Sequence, residues 1–284
     1  MAPLSFSFEL FPPRTPESVA KLPAILEQLA VARPSYFSVT HGAGGSDQEG
    51  TYETLLAVVR HTGVEAAPHL TCVGSTRAHI AALLDRYREA GVKRIVALRG
   101  DLPATALSPA APGEFHYANE LVSFIRATHG DHFRIEVAAY PEMHPQAASP
   151  GVDFDNFCRK VEAGADAAIT QLFYNADAYF EFMERCGKAG IRIPIMPGIM
   201  PITSHASITR FTAGCGADLP RWIRLRLEEL QFDRAALHDF GTAVVTRLCE
   251  TLVKNGAPGL HFYTINQAEP TLRLLRNLAI PVTA

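Results

Sequence analysis

Glu9 is the only ionisable side chain in a short aromatic run, residues 5–11, which ends at a Pro-Pro pair. The run predicts a buried strand, because aromatic residues favour strands and proline cannot continue a strand ladder. A lone carboxyl group in apolar surroundings has its charged form disfavoured, so its pKa should rise. Such a group could give up its proton near neutral pH, as a general acid must. The alternative is a strand-end glutamate that pairs with a basic residue such as Arg14.

Strand-like and helix-like segments alternate along the chain, and these elements must position Glu9. After the first run, strands are predicted at 36–40, 66–73, 94–98, 135–140, 167–173, 193–199 and 259–264, with proline interrupting the seventh. Apolar periodicity predicts helices between the strands, among them 18–31 and 153–162, and loops at 42–45 (glycine-rich) and 103–113 (Pro/Ala-rich). Extra helical segments precede the eighth strand, near Ser207, near Arg221 and over 233–254. This alternation predicts an α/β fold of the (β/α)8 TIM-barrel type, as a single catalytic domain over residues 1–284. A doubly wound open sheet is the alternative, but no G-x-G-x-x-G follows the first strand.

Polar residues follow the predicted strands at their C-terminal ends. In a barrel these ends all point to one face, where the active site is built. Taken singly, each has an ordinary explanation, such as an ion pair between Arg99 and Asp101 or a helix cap by Gln171. A set that recurs at so many strand ends favours a small-molecule site. Its members are Glu9, Thr40, His69, Arg99, Asp101, Tyr140, Glu142, His144, Gln171, Tyr263 and Asn266.

Composition excludes several classes of function. The formal net charge of -3, without any Lys/Arg-rich run, argues against a nucleic-acid partner. We expect no signal peptide and no membrane partner, because no apolar run approaches the ~18 residues that a transmembrane helix needs. The five cysteines are scattered and include no C-x-x-C pair, which indicates reduced thiols in the cytoplasm and no structural zinc. H-E-x-x-H and G-x-S-x-G are absent, so we predict no metal site and no serine-hydrolase elbow.

Asn156, Arg159 and Lys160 fall within about one turn of the helix predicted after the fifth strand. Two adjacent cations near loop or helix N–H groups could clamp a phosphate or a diphosphate. The more common explanation is a solvent-exposed helix face on which these cations balance the charge of nearby acidic residues such as Asp153 and Glu162.

Nine motifs resemble the methylenetetrahydrofolate reductase family, in its bacterial form that consists of the catalytic domain only. They are the segments 7–14, 37–40, 67–71, 97–101, 139–145, 159–165, 169–171, 197–199 and 261–264. The similarity covers nearly the whole chain in order, which makes it far more specific than one short pattern.

The resemblance implies a barrel that holds FAD and uses NADH to reduce methylenetetrahydrofolate to methyltetrahydrofolate for methionine synthesis. NADH would reduce the flavin and leave, and the folate would then bind the same flavin face. By position, Glu9 would be the acid that helps to open the folate ring to an iminium ion, and Asp101 would tune the flavin and stabilise that cation. Gln171 would hydrogen-bond the pterin, and Phe211 would pack on the folate or the nicotinamide. The positions that match FAD contacts are Thr40, His69, Arg99, Gly100, Asp101, Tyr117, Ala118, Tyr140, His144, Asp153, Asn156, Arg159 and Lys160.

Two substrate-binding positions depart from the family pattern. Gln267 stands where an arginine is expected to reach the folate tail, and Ser207 stands where bacterial members carry a glutamine. We therefore hypothesise that Arg273 or Arg210 contacts the folate carboxylates instead. The resemblance further implies a cytoplasmic homo-oligomer whose partners are small molecules.

Three other functions stay open on the sequence. The nearest is a flavin-free barrel that passes hydride directly from NADH to a folate. A second is a folate- or flavin-binding barrel without turnover, and a third is a pterin-binding methyltransferase. The set of positions that match FAD contacts argues against the first and the third, and the presence of Glu9, Asp101 and Gln171 together argues against the second.

Overall fold

The computed structural model describes residues 4–41, 48–100 and 113–280. Two predicted loops, a glycine-rich one at 42–45 and a Pro/Ala-rich one at 103–113, lie outside these ranges apart from Gly113. Asp101 lies outside them as well. The strands of the described residues are β1 (Ser5–Leu10), β2 (Phe37–Val39), β3 (Ala66–Thr71), β4 (Arg94–Leu98), β5 (Arg134–Ala139), β6 (Ala167–Thr170), β7 (Ile195–Met196), β8 (Gly198–Ile199) and β9 (Gly259–Tyr263). The helices are α1 (Pro16–Ala30), α2 (Gln48–Thr62), α3 (Arg77–Glu89), α4 (Ala118–His129), α5 (Pro150–Glu162), α6 (Ala176–Lys188), α7 (His205–Cys215), α8 (Arg221–Leu230), α9 (Arg234–Lys254) and α10 (Ala268–Asn277).

All observed strand pairings are parallel, and the strands form a nearly closed barrel in the order β7-β6-β5-β4-β3-β2-β1-β9-β8. β7 and β8 are two halves of the seventh barrel strand, and they are separated by Pro197. The first half pairs with β6 and the second with β9, because proline has no N–H with which to continue one ladder. The predicted (β/α)8 barrel and its interrupted seventh strand are therefore confirmed. The extra helices before the last strand are confirmed too, as α7, α8 and α9.

Several element boundaries differ from the prediction because of helix caps. α5 begins at Pro150 rather than 153, since the Ser149 side chain accepts a hydrogen bond from the Val152 N–H and a proline follows it. α1 begins at Pro16 rather than 18, and Thr15 caps it in a capping box with Ser18. Within the described ranges, no helix is both long and apolar enough to cross a bilayer.

Alternate residues of each strand face the helices or the barrel interior. Phe8, Phe37 and Phe262 face outward and are fully buried, and the ring centroid of Phe8 lies 5.6 Å from that of Phe37 and 6.1 Å from that of Phe262. Truncating such a side chain costs about 3–5 kcal/mol, so this aromatic layer holds β1, β2 and β9 together. The interior instead contains a small apolar cluster around Tyr36 and Val96, with polar side chains above and below it. The polar side chains at the C-terminal ends of the strands form the site.

Candidate functional site

Glu9 is the next-to-last residue of β1 and is only 8% exposed. Its Oε2 atom lies 3.4 Å from Nε2 of His69 on β3 and 3.5 Å from Nε2 of His261 on β9. In the described part of the chain these two histidines, and not Arg14, are the basic side chains that lie against its carboxyl group. The expectation of a lone carboxyl group in apolar surroundings was therefore wrong. The carboxyl group is buried, but it shares its pocket with two imidazoles.

His69 is the neutral member of this group. Burial lowers the pKa of its imidazole, and the attraction of Glu9 opposes that effect only in part. Because the ordinary pKa is 6.5, the lowered value leaves the ring uncharged at pH 7. Its Nε2 atom is buried and has no hydrogen-bond partner among the described residues, and the residue lines the cavity described below.

His261 was not predicted as a site residue, and it is fully buried inside the barrel. Its Nδ1 atom lies 2.7 Å from the Ser7 hydroxyl oxygen, opposite it in the β1–β9 register. The ring stacks on Tyr36 at 6.1 Å and meets Tyr263 edge-on at 5.5 Å. The signal for it lay in the period-2 alternation of the last strand, where His261 shares the inward face with Tyr263.

A cavity of about 680 Å³ opens at the C-terminal ends of the strands. Cavities of this size suit a cofactor or a substrate. The prediction that strand-end residues meet at one face is confirmed for the residues that line it. The residues named from the sequence that line it are Glu9, Thr40, His69, Tyr140, Gln171, Phe211 and Tyr263.

Two predicted substrate residues do not line this cavity. Ser207 lies in the first turn of α7, where its N–H donates to the capping Ser204 hydroxyl at 3.1 Å. Gln267 precedes α10 and lines a separate cavity of about 260 Å³, together with Arg273. Arg273 itself pairs with Asp239 at 2.7 Å, and the Arg210 guanidinium lies 5.3 Å from the ring centre of Phe211.

The two cations predicted on α5, Arg159 and Lys160, point in different directions. The Arg159 side chain is exposed and donates to the Asn156 side chain at 3.1 Å. Lys160 turns inward, and its ammonium group donates to the Ala138 carbonyl oxygen at 2.5 Å, at the end of β5. Burial lowers the pKa of Lys160 to about 8, against a smaller opposing effect of Asp153. Only Lys160 therefore points towards the barrel.

The other predicted cofactor residues follow β4 and β5 or stand at the start of α4, and of these Tyr140 lines the cavity. The rings of Tyr140 and His144 meet edge-on at 4.7 Å, and the His144 N–H donates to the Asp153 carboxylate at 2.9 Å. The Arg99 guanidinium donates to the Gln146 side chain. Tyr117 and Ala118 stand at the start of α4, where Tyr117 is more than half exposed.

Two strand-end residues, Asn266 and Glu142, hydrogen-bond to backbone groups of neighbouring loops. Asn266 accepts from the Phe11 N–H at 2.9 Å and donates to the Phe11 carbonyl at 2.8 Å, which fixes the turn after β1. Glu142 accepts from the Asp218 N–H at 2.8 Å, and burial raises its pKa. Neither residue lines the larger cavity.

The sequence comparisons agree with one another. The family model for methylenetetrahydrofolate reductase matches residues 2–279. A 5,10-methylenetetrahydrofolate reductase of Salmonella typhimurium is 36% identical over 277 residues, covering 98% of this chain and 91% of that protein. The Zea mays protein named methylenetetrahydrofolate reductase (NADH) 1 is 35% identical over 286 residues, covering 97% of this chain and 48% of that protein.

A solved structure supports the fold. It is described as an uncharacterized protein from Clostridium thermocellum that binds two copies of 5-methyl-5,6,7,8-tetrahydrofolic acid. Its TM-score is 0.68 at 14% identity, with 98% of this chain and 96% of that chain covered. At that identity the likeness shows the barrel alone. The family match and the bacterial relatives, over almost the whole chain, go further: the chain belongs to the methylenetetrahydrofolate reductase family of oxidoreductases.

Proposed function

We propose that this chain is a single catalytic barrel that uses NADH and FAD to reduce methylenetetrahydrofolate to methyltetrahydrofolate. We further propose that it works in the cytoplasm as a homo-oligomer and supplies methyl groups for methionine synthesis. The observation that carries the proposal is the Glu9 carboxyl group, buried between two histidines at the base of a cavity of about 680 Å³. A folate whose ring must be opened needs a proton donor of this kind.

The residues at the rim fit a flat, phosphate-bearing cofactor. Gly100 has φ of +89°, and a Cβ atom there would lie 3.0 Å from the Thr71 and Val73 side chains. Only glycine therefore suits this turn, and its bare backbone allows a flat ring to approach closely. Arg99 and Lys160 supply positive charge for a diphosphate, and His69 offers a buried nitrogen without a hydrogen-bond partner among the described residues.

The flavin, when bound, would carry hydride from NADH to the folate in two successive steps. In this scheme Glu9 donates the proton that opens the folate ring, while Gln171 hydrogen-bonds the pterin and Phe211 packs against it. Asp101 is proposed to stabilise the cationic folate. Thr40, Tyr140 and His144 would hold the cofactor from the strand ends, and Asn156, Arg159 and Lys160 on α5 would bind its diphosphate.

The first test is the visible absorption spectrum of the purified protein, before and after anaerobic NADH. We expect a flavin spectrum that NADH bleaches and that methylenetetrahydrofolate restores. A colourless protein that takes up no FAD, yet oxidises NADH when folate is present, would replace this mechanism with direct hydride transfer. Colour that NADH cannot bleach would contradict the proposed reductase.

Glu9→Gln separates the two steps. Bleaching by NADH should stay close to the wild-type rate, whereas recovery on adding folate should fall about 10²–10⁴-fold, the usual contribution of a positioned acid. The matched control is Glu142→Gln, because that carboxyl group also follows a barrel strand but lies outside the cavity lining. Equal recovery rates in Glu9→Gln and wild type would remove Glu9 from the mechanism.

A further inference from the structure

Arg14 lines the larger cavity, and the proposed function gives it no role. Among the described residues it is the only member of the cavity lining with a fixed positive charge. It follows β1, on the same segment as Glu9, and its side chain is exposed. Within the described ranges its guanidinium makes no hydrogen bond and no ion pair. All of its N–H donors are therefore available to a ligand that enters the cavity.

The backbone that carries Arg14 is held in place on both sides. The Asn266 side chain accepts from the Phe11 N–H at 2.9 Å and donates to the Phe11 carbonyl oxygen at 2.8 Å. Thr15 caps α1 with its side chain, and the two prolines that precede Arg14 have a fixed φ. The guanidinium thus stands on a backbone that is ordered before any ligand arrives. Binding at this position costs the conformational entropy of one side chain and not that of a loop.

Arg14 lies across the barrel from the cations of α5. In the strand order, β2, β3 and β4 separate β1 from β5 on one side, and β9, the split seventh strand and β6 separate them on the other. Arg159 and Lys160 belong to the helix that follows β5, whereas Arg14 follows β1. One diphosphate group is too short to bridge opposite strands of such a barrel. An anion at Arg14 is therefore a different group from the diphosphate proposed to lie at α5.

The position of Glu9 indicates which ligand brings that anion. Even when fully extended, the chain between Glu9 and Arg14 spans at most about 18 Å. An elongated substrate that reacts at Glu9 can therefore reach Arg14 with its far end. A folate has this form, because its reacting pterin ring and the carboxylates of its glutamyl tail lie at opposite ends of the molecule. A guanidinium binds a carboxylate through two parallel N–H···O bonds, which makes arginine well suited to this group.

We propose that Arg14 is a specificity-determining residue, which binds a carboxylate of the folate tail and so distinguishes folates from pterins without a charged tail. This inference rests on the proposed function, because it takes the pterin ring to lie at Glu9. Arg14 transfers no proton and no hydride. Gln267 lines the separate smaller cavity and not this one, so it does not supply the contact. The tail carries two carboxylates, which leaves the second for Arg210 or Arg273.

The direct test compares two ligands by titration calorimetry on the purified protein supplemented with FAD. The ligands are methyltetrahydrofolate and its diamide, in which neutral amides of similar size replace both carboxylates of the tail. The wild type should bind the acid about tenfold or more tightly than the diamide, the weight of a charge-assisted hydrogen bond. Arg14→Ala should lose this preference, because its affinity for the acid falls while its affinity for the diamide stays at the wild-type value.

Two further variants show whether the effect belongs to the guanidinium. Arg14→Lys keeps the charge but loses the paired donors, so its preference for the acid should lie between those of the wild type and Arg14→Ala. Arg60→Ala is the matched control, since Arg60 is an exposed arginine on α2 that lines neither cavity. Its preference for the acid should equal that of the wild type. In the active enzyme, Arg14→Ala should raise the folate KM about tenfold with little change in kcat, because the acid at Glu9 is intact.

The results separate this inference from the proposed function. Equal binding of acid and diamide by the wild type, or an equal loss of both ligands in Arg14→Ala, would overturn the role of Arg14 while the reductase proposal stands. A rise in the NADH KM without a change in the folate KM would assign the guanidinium to the diphosphate of NADH and would also overturn it. A wild type that binds neither ligand would reject the proposed function, and this inference with it.

Discussion

Replacing Gly198 by alanine should both destabilise the barrel and disturb the site. Gly198 begins β8, and its N–H donates to the Thr170 hydroxyl at 2.9 Å. A Cβ atom at this position would lie 2.6 Å from the Tyr263 hydroxyl oxygen and 2.7 Å from the edge of its ring, and would also overlap the Thr170 carbonyl oxygen. That carbonyl accepts the Tyr263 hydroxyl at 2.6 Å, so the added methyl group falls on the bond that fixes this ring.

The size of the effect follows from these contacts. Overpacking a closed site costs about 1–3 kcal/mol, and loss of one hydrogen bond adds ~1 kcal/mol. The sum, about 2–4 kcal/mol, corresponds to a fall in Tm of ~4–8 °C for a chain of this length. Because Tyr263 meets His261 edge-on, the displaced ring should also slow the folate-dependent step more than the NADH-dependent one.

Thermal unfolding and the two half-reactions measure this prediction together. Gly187→Ala is the matched control, because nothing lies within 4 Å of a Cβ atom at that position of α6. Alanine there should stabilise the helix by about 0.5–1 kcal/mol and leave both half-reactions unchanged. If Gly198→Ala unfolds at the wild-type temperature, the close approach of β8 to Tyr263 is wrong as described.

Two further predictions concern charges near the site. Lys160 has a pKa of about 8 when folded against an ordinary 10.5, so the folded chain gains stability as pH rises from 8 to 10.5. Urea unfolding at pH 7 and pH 10 should therefore show that the free energy of unfolding of Lys160→Met falls relative to the wild type as pH rises. The exposed Lys188→Met should show no such change. A difference between Lys160→Met and the wild type that is the same at both pH values would contradict the buried lysine. Replacing Arg210 and Arg273 together by alanine should raise the folate KM about fivefold, the scale of exposed ion pairs, and an unchanged KM would reject both as partners of the folate tail.

The fold could be predicted because its signals are local. The alternation of strands and helices gives parallel pairing, and the proline at position 197 by itself marks the break in the seventh strand. The helix starts were missed by up to a turn. The helix starts are set by the caps Ser149 and Thr15, each followed by a proline. Apolar periodicity does not include these capping residues, so it predicts the helices too short at their N-termini.

The site was predictable in outline only. Glu9 and Gln171 meet at one face because every strand end of a barrel does. The histidine partners of Glu9 depend on which residues of distant strands lie opposite each other, and register is not visible in a single strand. Gln267 lines a different cavity because the turn before α10 carries it away from the strand ends. The direction of Lys160 depends on tertiary contacts with β5.

The close pair of Glu9 and His261 has a consequence for the order in which the molecule can be made. The two residues stand 252 positions apart, on the first and the last strand of the barrel. A ribosome must therefore finish almost the entire described chain before the acid meets its partner, and contacts of such separation form late. Until then β1 has an unpaired edge, and in a nascent or truncated barrel the proposed acid Glu9 lacks its contact with His261. The rate at which the Glu9–His261 contact returns during refolding would thus report the final closure of the barrel.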